Sequence, residues 1–231
     1  MAIDVVIPAL NEEQSLPKVL HALPDDWLRE VVVVDNGSTD ATADVARQGG
    51  ATVVQELQKG YGSACLRGIE ELRENPPDIL VFIDADFSDY PQELPQVVAP
   101  IISDTIDLVI GSRTLGVSEP GALLPQAVVG NALACTILRL MYGYRFSDLG
   151  PFRAIRWSAL EELGMKDRDF GWTVEMQIKA ARYGLSAVEV PVSYRRRLGV
   201  SKITGTMTGT VKASYKILYT LFREYFRERK R

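Results

Sequence analysis

Cysteine, histidine and long apolar runs are scarce in this chain. Cys65 and Cys135 are the only thiols among 231 residues, and they lie far apart. With no secretion signal ahead of the first strand, they read as reduced packing residues of a cytoplasmic protein, not as a disulfide framework. His21 is the single histidine; it falls in an expected helix and reads as a surface residue, not as a ligand or base. No apolar run reaches the ~18 uninterrupted residues that a membrane-spanning helix needs. Positive charge is not in excess either: the net charge is −4, so nucleic acid is not the expected partner. The charge is uneven, because residues 211–231 hold seven Lys or Arg against two Glu.

What remains is an ordinary soluble composition, 46% hydrophobic and 24% charged, long enough to bury a core without staples. Apolar strand patterns fall at residues 3–7, 31–34, 52–54, 79–83, 107–110 and 187–190. Helical patterns alternate with them, at about 15–22, up to 48, 60–74, 91–102, 125–141, near Ser158, and 172–183. This alternation predicts βαβ crossovers and a mostly parallel sheet flanked by helices. Residues 1–205 are expected to form one catalytic domain, and residues 206–231 a basic amphipathic helix. On that helix Tyr215, Leu218, Tyr219, Phe222 and Phe226 share one face. This face suits an anionic membrane surface, the domain itself or a second subunit.

Three strands run into polar clusters: Asn11-Glu12, then Asp35-Asn36-Gly37-Ser38-Thr39-Asp40, then Asp84-Ala85-Asp86. In a parallel sheet these ends share one edge, where ligands bind. Carboxylates gathered there repel one another unless a cation joins them. Asp84 and Asp86, two apart at a strand end, can converge on one Mg²⁺ or Mn²⁺ beside a phosphate. Each cluster taken alone is equally readable as a helix cap or a turn. Gly60-Tyr61-Gly62 opens a helix and could cradle a phosphate, with Gly62 and Arg67 as candidate donor contacts; a solvated helix face accounts for Arg67 as well. Arg113 ends a strand on the same edge. Asp148 is the first candidate base and Glu175 the second, the bland readings being a capped turn and an exposed acid. Arg195-Arg196-Arg197 with Ser201 and Lys202 form a run of anion donors flanked by Gly199 and Gly205. The expectation is a lid over residues 195–205, closing on a diphosphate.

Taken in order, Val5 to Glu13, Val34 to Asp40, Asp84-Ala85-Asp86, Gly111-Ser112-Arg113, Asp148 to Arg153 and Gly199-Val200-Ser201-Lys202 resemble the motifs of family 2 glycosyltransferases of the GT-A fold. The set is similar to the dolichyl-phosphate mannose synthase and polyprenyl-phosphate glycosyltransferase branch. The resemblance implies an inverting, metal-dependent hexosyltransferase using Mg²⁺ or Mn²⁺. Its donor would be a nucleoside-diphosphate sugar of the GDP-mannose or UDP-glucose type, and its acceptor a lipid phosphate. A small soluble acceptor, or a sugar-phosphate nucleotidyltransferase, is the alternative. Pro8, Ala9, Glu12 and Asp35 would line the base and ribose pocket. Asp84, Ala85 and Asp86 would surround metal and diphosphate. Arg113 and Arg196 would face acceptor or leaving phosphate, Ser201 and Lys202 would lie on the lid, and Asp148 near the reacting sugar. A homo-oligomer and a peripheral membrane contact stay open. Three departures are visible: Asn36 replaces a second Asp, Ser88 stands where that branch often has Gln, and Ala127-Val128-Val129-Gly130 lack the branch's Arg and Ser.

Overall fold

The computed structural model describes residues 1–103, 105–199 and 215–224. Short runs of β-branched and aliphatic residues form β1 (Ile3–Ala9), β2 (Glu30–Asp35), β3 (Thr52–Gln55), β4 (Ile79–Phe82), β5 (Leu108–Ser112), β6 (Arg153–Arg156) and β7 (Ala187–Pro191). They make one sheet in the order β3-β2-β1-β4-β6-β5-β7. The pairings β1–β2, β1–β4, β2–β3 and β5–β7 are parallel. Only β6 runs against its neighbours β4 and β5. The sequence pattern did not show this strand. The GT-A expectation of a mostly parallel sheet between helices is what the chain adopts.

Successive residues of a strand face opposite sides, and both sides here are covered. Val6, Val32, Val34, Leu80 and Phe82 join one buried cluster. Val5, Ile7, Val33, Val81 and Ile83 join the other. This double burial explains why the central strands read as continuous apolar runs. Helices α1 (Leu16–Ala22), α2 (Thr42–Gln48), α3 (Tyr61–Leu72), α4 (Leu94–Ser103), α5 (Pro125–Tyr142), α6 (Trp157–Leu163) and α7 (Trp172–Tyr183) connect the strands. Gly68 lets α3 lie close on β1, since a Cβ there would stand 2.6 Å from a Val6 methyl. Trp172 at the start of α7 packs edge-on against Phe82, with ring centroids 5.7 Å apart. That contact ties α7 to the strand leading into the Asp pair.

Residues 215–224 are helical. Leu221 and Thr220 are fully buried, and the Tyr142 hydroxyl donates to the Leu221 carbonyl at 3.2 Å. The aromatic face expected from sequence is split: Leu218 packs on the core, while Tyr215, Tyr219 and Phe222 point outward. The segment therefore docks on its own domain, one of the alternatives left open by sequence, through Ile217, Leu218 and Leu221. Phe226, Ser201, Lys202, Gly205 and most of the expected lid lie outside the described residues. Among the described residues, no helix is long and apolar enough to cross a membrane.

Candidate active site

The parallel strands bring their C-terminal ends to one edge, and a cavity of about 320 Å³ opens there. It is of a size to take a nucleotide-sized ligand. Pro8, Ala9 and Glu12 line it from the end of β1, and Asp84, Ala85 and Asp86 from beyond β4. The structure brings these six sequence candidates together around one cavity. Leu10, Asn36, Lys59, Tyr61, Asp169, Phe170 and Arg197 also line it, and were not assigned to it individually.

The Asp pair is the charged floor. Asp84 Oδ1 is buried without a hydrogen-bond partner. Burial, and then the Asp86 charge, push the Asp84 carboxyl up to about 7. Asp86 Oδ1 accepts the Ser88 amide at 2.9 Å, and its Oδ2 meets Arg197 Nη1 at 3.1 Å. Asp89 lies just beyond, buried, with neither carboxylate oxygen partnered. Burial and the charges of Asp84 and Asp86 push it well above the usual carboxylate range. Orphaned acceptors beside a carboxylate already resisting ionisation fit a divalent cation. Asp84 and Asp86 are the residues that would hold it. Among the described residues no group of three His, Cys, Asp or Glu is ready-made for a metal; donor oxygens and water would complete the shell, as Mg²⁺ commonly requires.

The segment 194–198 is laid over this floor. The Arg195 amide donates to the Ser88 carbonyl at 2.9 Å, and the Leu198 amide to the Asp86 carbonyl at 3.0 Å. The Arg195 guanidinium lies between two rings, 3.5 Å from the centroid of Phe87 and 3.9 Å from that of Tyr90. Phe87 has φ +61, a conformation that side-chain-bearing residues adopt at a cost and that clusters at functional sites. Arg197 then reaches down between Asp86 and Glu12, the latter at 3.2 Å.

Several sequence expectations are corrected by geometry. Arg196 does not face the cavity. It is exposed, and its guanidinium donates to the Pro120 carbonyl. Its neighbour Arg197 enters instead, because adjacent residues of an extended segment point to opposite sides. Asp35 is buried and accepts the Ser38 amide at 2.9 Å; it braces a turn, and Asn36 lines the cavity in its place. Asn36 donates to the carbonyls of Glu56 and Gln58 and accepts the Gly60 amide. A carboxylate could not donate those bonds, which accounts for the missing second Asp.

Gly62 is no phosphate cradle. A Cβ on it would stand 2.0 Å from the Asp167 carbonyl oxygen, and one on Gly60 2.1 Å from that of Arg168. The Ser63 amide donates to the Arg168 carbonyl at 3.0 Å, so the start of α3 is already capped by chain. Arg67 pairs with Glu71 at 2.8 Å outside the cavity lining. Asp148 is fully buried and grips Arg113 bidentately at 2.7 and 2.8 Å. Burial works against the Arg113 charge, but the Asp148 carboxylate more than offsets it. Neither residue lines the cavity. Glu175 is buried too, accepting the Lys166 and Asp167 amides and pairing with Lys179 at 2.8 Å. Both candidate bases are thus committed to structure.

Comparison with known proteins gives the family. The profile of glycosyl transferase family 2 matches residues 4–164. An uncharacterized glycosyltransferase of Mycobacterium tuberculosis is 41% identical over 209 residues, 89% of this chain and 91% of that protein. The undecaprenyl-phosphate mannosyltransferase of Micrococcus luteus is 33% identical, over 89% of this chain and 88% of its own. Among solved structures, glucosyl-3-phosphoglycerate synthase of Mycobacterium tuberculosis, in complex with Mn²⁺, UDP-glucose and phosphoglyceric acid, superposes with a TM-score of 0.76. It is 25% identical, with 97% of this chain and 79% of that one covered. The narrower resemblance to the polyprenyl-phosphate branch is therefore corrected. The structural neighbours hold phosphoglyceric acid, a small water-soluble anion, not a lipid phosphate. The Micrococcus relative stands below the mycobacterial proteins in identity and does not carry that branch. The chain is an α/β glycosyltransferase and belongs to glycosyl transferase family 2.

Proposed function

We propose that this enzyme moves a hexose from a nucleoside-diphosphate sugar of the UDP-glucose type to a small soluble anionic acceptor, with Mg²⁺ or Mn²⁺ as cofactor. One observation carries the reading: orphaned Asp84 Oδ1 beside Asp86 on the cavity wall, with Arg197 paired to Asp86 at 3.1 Å. The neighbours crystallised with Mn²⁺ and UDP-glucose support the donor type, and those with phosphoglyceric acid support the acceptor class.

The chain's residues divide the donor between them. Pro8, Leu10, Tyr61 and Phe170 offer apolar walls for the nucleoside half, and burying them against it excludes water. Lys59 and Arg197 bring positive charge to the diphosphate half. When bound, a divalent cation at Asp84 and Asp86 neutralises charge building on the leaving diphosphate. Arg197, paired here with Glu12 and Asp86, would find in a diphosphate an alternative partner for its guanidinium. The base needed for direct displacement by a hydroxyl is not supplied by Asp148 or Glu175, since both are tied into ion pairs.

The test is release of nucleoside diphosphate. The full chain is incubated with UDP-glucose or GDP-mannose, with and without Mn²⁺, against a panel of phosphorylated and carboxylated small acceptors. Metal-dependent, acceptor-stimulated release with UDP-glucose is expected. Release without metal, or none with any donor, would sink the proposal.

A further inference from the structure

One wall of the proposed donor site comes from far along the chain. Asp169 and Phe170 line the cavity, and Asp167 organises the turn that carries them. Its Oδ1 accepts the amides of Asp169 at 2.9 Å and Gly171 at 3.1 Å. The turn is pinned on two sides, by Glu175 under the Asp167 amide and by the start of α3 under the Arg168 carbonyl. The remaining oxygen, Asp167 Oδ2, is buried and makes no hydrogen bond. Lys216 Nζ stands 3.2 Å from it, and the Asp167 side chain is fully buried. Lys216 belongs to the helical segment 215–224. One turn further along, Thr220 Oγ1 lies so near Gly171 that a Cβ there would come within 2.5 Å.

We propose that Lys216 is a positioning residue of the donor site: through Asp167, the helical segment 215–224 fixes Asp169 and Phe170 against the nucleoside half of the donor. The inference rests on reading the cavity as the donor pocket. Its physical basis is that a charge meeting a buried carboxylate is screened far less than a surface pair. Removing it leaves Asp167 uncompensated. The carboxylate then has reason to turn toward solvent, and the two amides that shape the turn lose their acceptor. Donor affinity would depend on a helix that touches no donor atom.

The experiment is calorimetric titration of the full chain with UDP and Mn²⁺. Lys216→Met is compared with Lys216→Arg and with Arg182→Met. Arg182 pairs with Glu224 at 3.3 Å, and Glu224 also has Arg223 at 2.9 Å, so losing Arg182 removes one ion pair of the same helix while the Lys216–Asp167 contact stays in place. Lys216→Met should weaken UDP binding about tenfold, a size usual for coupling through a packed element. Lys216→Arg should restore it, and Arg182→Met should leave it unchanged. Equal weakening by both Met variants, or none by Lys216→Met, overturns the proposal.

Should Lys216→Met fail to fold, hydrogen exchange on the wild-type chain decides. UDP with Mn²⁺ must slow the amides of Asp169, Gly171 and residues 215–224 together. Protection at 169–171 with none at 215–224 overturns it. If the wild-type chain binds neither UDP nor GDP with metal, the donor reading itself falls, an outcome distinct from all of these.

Discussion

Asp84 carries the clearest pH signature among the single residues. Its carboxyl is raised from an ordinary aspartate to about 7 by burial and by Asp86. For an acid raised in the folded state, the stabilising contribution is full at low pH and is lost as pH climbs toward 7. Thermal melts of the metal-free chain should therefore lose stability from this group between about pH 4 and 7. Mn²⁺ needs the ionised form, so its stabilising effect should grow over the same interval. A metal-induced shift that stays flat from pH 5 to 8 would contradict the assignment. Asp86→Ala should abolish metal-dependent transfer and leave the melt within a few degrees of wild type. Asn36→Asp makes the opposite case. It puts a carboxylate against the Glu56 and Gln58 carbonyls, and should cost about 1–3 kcal/mol of unfolding free energy by urea titration. The pair Asp84 and Asp86 was legible in sequence because it directly follows a buried strand. The role of Asn36 was not, since its three partners come from a loop some 20 residues on.

At the scale of elements, contiguity decides what the sequence reveals. Strands β1, β2, β4 and β5 are buried on both faces and read as apolar runs. Strand β6 is four residues, Arg-Ala-Ile-Arg, and acquires its meaning only between β4 and β5. Pro8, Ala9 and Glu12 were named through the family resemblance of the segment 5–13, whereas Asp169 and Phe170 were not named, because tertiary approach alone brings them to the cavity. A one-residue error exchanged Arg196 for Arg197, as expected where side chains alternate along extended chain. The Gly60-Tyr61-Gly62 signal was real, but its cause is close packing of the 167–168 carbonyls, not an anion. Gly62→Ala should therefore destabilise the chain by about 1–3 kcal/mol, since a backbone atom must shift to admit the methyl. It should weaken UDP binding too, because the displaced turn carries Phe170. Unchanged melting with lost binding would instead revive a direct phosphate contact.

At the scale of the whole molecule, a buried cation, Arg153, ties the sheet to the turn and helix behind the cavity, and among the described residues no carboxylate forms an ion pair with it. Arg153 is fully buried where β4, β5 and β6 meet, with Phe82 and Ile110 as its register partners. Its guanidinium donates to the carbonyls of Leu149, Gly150 and Thr173. Burial pulls its pKa down to about 10, yet at neutral pH it remains charged. These bonds join β6, the 148–150 turn that grips Arg113, and the first turn of α7. The reversed strand β6 brings its first residue, Arg153, beside Phe82 at the end of β4 and Ile110 near the end of β5, so these bonds tie the start of β6 to the turn and helix next to it. Arg153→Met would relieve the burial of a charge and strand three carbonyls, and the second effect is the larger. A net loss of about 2–4 kcal/mol is expected by urea denaturation. Loss of transfer should accompany it, as the Asp148–Arg113 turn loosens. Arg153→Lys, which keeps one ammonium but cannot span three carbonyls, should recover less than half of the stability. If Met and Lys proved equally stable and as active as wild type, the junction would be held by packing alone and the carbonyl bonds would be incidental.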